Sequence, residues 1–90
     1  MKFYALLTVD LKNADVSERR IFDVILIKEK WTKISDLTTT WKASFKDGIS
    51  KEEATELIEG DLKKAKKESE ISEITYAFQL AEHEVATGKL

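Results

Sequence analysis

The sequence predicts a single α+β domain: a four-stranded antiparallel sheet with two helices on one face, in the order strand, helix, strand, strand, helix, strand. Three observations carry this. Residues 2–11 form a nearly continuous apolar run, rich in aromatic and β-branched residues and free of Gly and Pro, that suits a strand buried on most of both faces. Residues 38–46 and 71–80 alternate apolar and polar with the period of two that a half-exposed strand shows. Two further segments repeat apolar residues at one-turn spacing, each behind a residue suited to cap a helix.

The first strand ends on an acid, Asp10. A helix is then expected to start at Asp15 or Ser17 and run to about Lys30, with a broad apolar stripe from Ile21, Phe22, Val24, Ile25, Leu26 and Ile27. Its β-branched residues lower helix propensity, so packing against a sheet must hold it. Residues 31–37 and 38–46 read as a hairpin connected around Ser35 to Leu37. In its second strand Thr39, Trp41, Ala43 and Phe45 alternate with Thr38, Thr40, Lys42, Ser44 and Lys46. Asp47-Gly48 ends it, because Gly supplies the positive φ a tight turn commonly needs. Ser50 and Glu53 form a capping-box pattern that opens the second helix, followed by Ala54, Leu57, Ile58, Asp61 or Leu62, and Ala65. Lysines 63, 64, 66 and 67 fall in its last turns, where they complement the helix dipole, with a nucleic-acid patch as the alternative. In the last strand Ile74, Tyr76, Phe78 and Leu80 share one side.

This order is that of the split β-α-β, or ferredoxin-like, sandwich, whose first and third strands lie in the middle of the sheet. Residues 1–82 are read as the domain and 83–90 as a tail, frayed or pairing with a partner subunit. Phe3, Ala5, Leu7 and Val9 are expected to face the helices, leaving Tyr4, Leu6, Thr8 and Asp10 on the open face. An open face carrying Tyr4 and Leu6 suggests an interface, and Tyr4, Leu6 and Thr8 are the expected contacts of a homodimer.

Composition narrows the chemistry. Ninety residues make one core, and 42% hydrophobic with 36% charged residues describes a globular chain. No run approaches the ~20 apolar residues of a membrane span, and no cleavable leader is read, so a soluble, cytoplasmic protein with no membrane partner is expected. The absence of cysteine excludes disulfides, a thiolate nucleophile and Cys-based zinc sites. With 15 Lys and Arg against 17 Asp and Glu, the net charge of −2 excludes bulk electrostatic binding of nucleic acid; such a role needs a local patch or a metal. Without proline, the turns are expected from Gly, Asn, Asp and Ser.

The opening strand closing on Thr8-Val9-Asp10-Leu11, the helix start Arg19-Arg20-Ile21-Phe22-Asp23-Val24-Ile25, and Trp31 with Thr39-Thr40-Trp41 together resemble the small CRISPR-associated endoribonucleases of spacer acquisition and their relatives, over about residues 3–45. In that family the acid ending the first strand is the proposed metal ligand, facing its twin across a dimer. The resemblance therefore implies Asp10 as catalytic and metal-binding residue, with Mg²⁺ as the ion, since hard cations take carboxylate oxygens and activate water for phosphodiester cleavage. Here Val9 stands where the family has an aromatic. Arg19 and Arg20 are the candidates for contact with nucleic-acid phosphate, against the alternative of a solvated helix surface.

The blander readings stand beside these. Asp10 can simply close a strand beside Asn13. His83 between Glu82 and Glu84 does not make a convergent metal set, because neighbours on an extended chain point apart. Ser35, Asp36 and the Thr38 to Thr40 run lack a His partner for nucleophilic catalysis. Trp31, Trp41 and Tyr4 could stack bases on an open sheet, with core or dimer packing as the alternative. A non-enzymatic interaction module using the open sheet face is the competing function.

Overall fold

A computed structural model describes residues 1–90. The elements are β1 (Tyr4–Leu11), α1 (Val16–Lys28), β2 (Thr32–Lys33), β3 (Thr40–Ser44), α2 (Lys51–Ser69) and β4 (Ile74–Ala81). They build one antiparallel sheet of order β2-β3-β1-β4, the ferredoxin-like arrangement, with β1 and β3 in the middle. No helix is long and apolar enough to cross a membrane.

Register settles which residues share a face. Directly opposed residues on paired strands point to the same side. Leu7 stands between Trp41 and Phe78, Ala5 between Ala43 and Leu80, and Val9 opposite Tyr76. These odd positions of β1 meet Phe22 and Leu26 of α1 and Ile58, Leu62 and Ala65 of α2 in one buried cluster. The even positions, Tyr4, Leu6, Thr8 and Asp10, lie on the other face as expected, but Leu6, Thr8 and Asp10 are exposed there, so β1 is buried on one face only and not on most of both, because both helices pack on the same side of the sheet.

Both helix starts follow from their caps. Asp15 accepts from the Glu18 amide at 2.8 Å while Glu18 accepts from the Asp15 amide, and Ser50 with Glu53 closes the second capping box. The buried stripe of α1 is narrower than expected. Only Phe22 and Leu26 are buried and Ile25 packs beside them, whereas Ile21, Val24 and Ile27 are exposed. At about 100° per residue, six apolar side chains within seven positions wrap round the helix and cannot all reach the sheet.

The first hairpin strand shrinks to Thr32–Lys33, and Trp31 is core rather than strand. After Lys33 one more ladder bond forms, Ile34 amide to Thr40 carbonyl at 2.9 Å. Asp36 then turns the chain at φ +67°, and the Leu37 amide closes back on the Ile34 carbonyl. Gly48 sits at φ +91°, the turn assigned to it, but Lys30 and Glu70 also hold positive φ. Both follow the end of a helix, where a left-handed residue satisfies the last carbonyls. Two turns are thus made by residue types outside the expected set.

Polar ties fix the helices to each other and to the start of the first hairpin. The Trp31 indole donates to Asp61 of α2 at 2.8 Å, Lys33 donates to Asp23 of α1 at 2.6 Å, and Lys64 of α2 reaches Glu29 at 3.0 Å. No buried side-chain polar atom lacks a partner.

Candidate functional site

The open face is a grid of short polar side chains around one leucine. Across it run Thr32 on β2; Thr40, Lys42 and Ser44 on β3; Tyr4, Leu6, Thr8 and Asp10 on β1; and Thr75, Ala77, Gln79 and Ala81 on β4. Tyr4 is opposed by Ser44 and Ala81, Leu6 by Lys42 and Gln79, and Thr8 by Thr40 and Ala77. Leu6 remains 41% exposed.

The chain's own C-terminal segment crosses this face. Beyond β4, residues 84–90 form no helix or strand. Val85 is half-buried and borders two depressions: with Tyr4, Lys42 and Ser44 on one side, and with Leu6, Thr40 and the 34–37 loop on the other. Lys89 then pairs with Asp36 at 3.1 Å. The tail therefore runs from the Tyr4 end of the sheet back to the β2–β3 loop, a course not foreseen from its weak pattern. His83 is exposed and joins no group of acids or cysteines able to hold a metal.

Asp10 stands exposed at the far end of β1, opposed on β4 by Thr75. No group of three His, Cys, Asp or Glu side chains able to hold a metal ion forms anywhere in the chain. Within a single copy Asp10 therefore belongs to no cluster of three or more such ligands. Arg19 and Arg20 are exposed in the first turns of α1, and α1 lies on the opposite face of the sheet from Asp10. The Arg19 Nε donates to the Ala14 carbonyl at 3.2 Å, which turns that guanidinium along its own loop. The structure brings neither arginine together with Asp10 on one face.

The tryptophans are removed from the base-stacking set. Trp31 is 3% and Trp41 1% exposed, Trp31 meets Phe45 edge to face at 6.5 Å, and the Lys33 ammonium covers Trp41 at 5.2 Å. Of the three aromatics, Tyr4 alone lies on the open face, with the Lys2 ammonium 5.6 Å from its ring centre.

A second set of residues was not singled out from the sequence. Lys2, Lys30 and Lys42 gather around Tyr4, Thr32 and Ser44 in a cleft of about 250 Å³ at the Tyr4 end of the face. The signal that could have found them is parity: Lys2 shares the side of Tyr4, and Lys42 lies in the outward set of its strand.

One group has a shifted titration that bears on the fold. Burial holds the Asp61 carboxyl above the usual aspartate range, opposed by the Trp31 indole N–H that stabilises the carboxylate. Nearby Glu29 raises it further and Lys64 opposes. Asp61 lies between α2 and the start of β2, away from the open face, so its role is structural. Comparison with protein-family models, with curated proteins and with solved structures returns no match to this chain.

Proposed function

We propose that this chain is a nucleic-acid-related homodimer of the CRISPR-associated endoribonuclease type, its open face turned toward a second copy and Asp10 set against its twin. The observation that carries the reading is the place of Asp10: exposed, on the open face, at the end of the central strand, where the resembling family keeps its acid. Two copies would supply two carboxylates, a number with which Mg²⁺ is held when waters fill its remaining positions. Tyr4, Leu6 and Thr8 are the contacts of the shared face. The test is sedimentation at tens of micromolar together with cleavage of single-stranded RNA in Mg²⁺ and in EDTA. A dimer whose Mg²⁺-dependent cleavage disappears in Asp10→Asn supports the reading, and a strict monomer removes the shared carboxylates.

A second reading is a non-enzymatic interaction module using the same face. It is favoured by Asp10 belonging to no three-ligand group within one copy and by the tail already seated across the sheet. A dimer that cleaves nothing and is unchanged by Asp10→Ala selects it.

A further inference from the structure

The cleft at the Tyr4 end has a composition unlike the rest of this acidic chain. Lys2 and Tyr4 lead into β1, Lys42 and Ser44 stand on β3, and Lys30 and Thr32 lead into β2, so three adjacent strands each contribute one ammonium and one hydroxyl. The register places them as neighbours: Tyr4 opposes Ser44, and Lys42 opposes Thr32. The chain's five ion pairs use Lys12, Lys33, Lys64, Lys89 and the Met1 ammonium, and none uses Lys2, Lys30 or Lys42. The one acid in the wall is Glu84 of the tail, which forms no ion pair with any of them. Asp47, close enough to Lys2 to feel its charge, is held by the Met1 ammonium at 2.7 Å. Three lysines against one glutamate leave a local charge of +2 in a chain whose total is −2.

Lys30 adds a conformational point. It holds φ +74° just past the Glu29 cap of α1, a left-handed conformation that favours glycine over a residue with a side chain. The bond from the Trp31 amide to the Leu26 carbonyl at 3.0 Å and the burial of Trp31 fix the residue after it. The ammonium of Lys30 is therefore carried on a pinned turn.

We infer that this cleft is a binding site for a phosphate group, with Lys2, Lys30 and Lys42 neutralising the phosphate and Thr32 and Ser44 donating hydrogen bonds to its oxygens. Lysine ammoniums and hydroxyls are the donors phosphate oxygens take. The site goes beyond the proposed function by placing phosphate recognition on the open face, about 20 Å along β1 from Asp10, rather than at Arg19 and Arg20. The phosphate can come from a nucleic-acid strand or a free mononucleotide.

The test titrates a fluorescein-labelled ten-nucleotide single-stranded RNA by anisotropy, and AMP by amide chemical shifts, into the full chain, into Lys2→Gln/Lys30→Gln/Lys42→Gln and into Arg19→Gln/Arg20→Gln. Circular dichroism checks that the variants fold. The expected result is RNA affinity lowered at least about tenfold in the lysine variant, with the slope of log affinity against log salt reduced by about 2, and little change in the arginine variant. Glu84→Gln is expected to strengthen binding. AMP shifts at Tyr4, Thr32, Lys42 and Ser44 that vanish in the lysine variant, with no RNA binding, keep the site as a mononucleotide site while the nucleic-acid reading fails. RNA bound equally by the wild type and the lysine variant overturns the site and leaves that reading standing. Binding of neither probe overturns both.

Discussion

The two sides of β1 show how one strand divides its labour. Ala5, Leu7, Val9 and Leu11 are buried to 5% exposure or less, while Tyr4, Leu6, Thr8 and Asp10 alternate with them on a face covered only by the chain's own tail. Each pair of neighbours shares a backbone and differs in surroundings. Stability thus belongs to the odd positions, where apolar area leaves water, and any recognition belongs to the even ones, where polar groups remain free to meet a ligand.

The sharpest way to break this contrast is to truncate adjacent leucines. Leu7→Ala removes a fully buried side chain between Trp41 and Phe78 and is expected to cost about 2–5 kcal/mol in urea unfolding. Leu6→Ala, at 41% exposure, is expected to cost about 1 kcal/mol or less. Equal losses would show that the tail makes the open face a second core.

Next in size is the tie between Trp31 and Asp61. Asp61→Ala strands the buried indole N–H and is expected to destabilise by about 1–3 kcal/mol. Asp61→Asn keeps an acceptor and removes the charge. Because the folded pKa of Asp61 is raised, the folded chain binds the proton more tightly than the unfolded one. Its contribution to stability therefore grows as pH falls through the raised value toward the unfolded one, and its ionisation costs stability above that window. Asp61→Asn is accordingly expected to raise Tm slightly at pH 7 and to flatten its pH dependence in the acid range, which thermal melts at several pH values measure.

Much of the fold was legible in the sequence because it rests on short-range signals. The apolar run of β1, the alternation in β3 and β4, the capping box at Ser50 and the turn at Gly48 all act within a few residues. What was less legible depends on tertiary choice. Six apolar residues in α1 do not say which of them meet the sheet, and Trp31 follows a turn made by a lysine, which carries no turn signal of its own. The site was legible in part. Asp10 was placed on the correct face by parity, whereas the lysine cleft needs strands separated by nearly forty residues in sequence to be brought side by side. The tail lacks periodicity, and only Val85 and the Lys89–Asp36 pair reveal its course.

Smaller effects sharpen the contrast from the other side. Asp10→Asn, at an exposed position with no metal group around it, is expected to change stability by less than about 0.5 kcal/mol, so a loss of activity there would be chemical rather than structural. Gly60→Ala, in the interior of α2 with nothing within 4 Å of the added methyl, is expected to stabilise by about 0.5–1 kcal/mol in the same unfolding assay.

The division of β1 into a structural side and a recognition side is tested most directly by a residue-resolved amide-shift titration of the full chain with a ten-nucleotide single-stranded RNA. The expected result is shifts concentrated at Tyr4, Leu6, Thr32, Lys42 and Ser44, with the α2 residues Ala54, Ile58 and Leu62 unmoved. Shifts centred on the outer surfaces of α1 and α2, or none on the sheet, would contradict it.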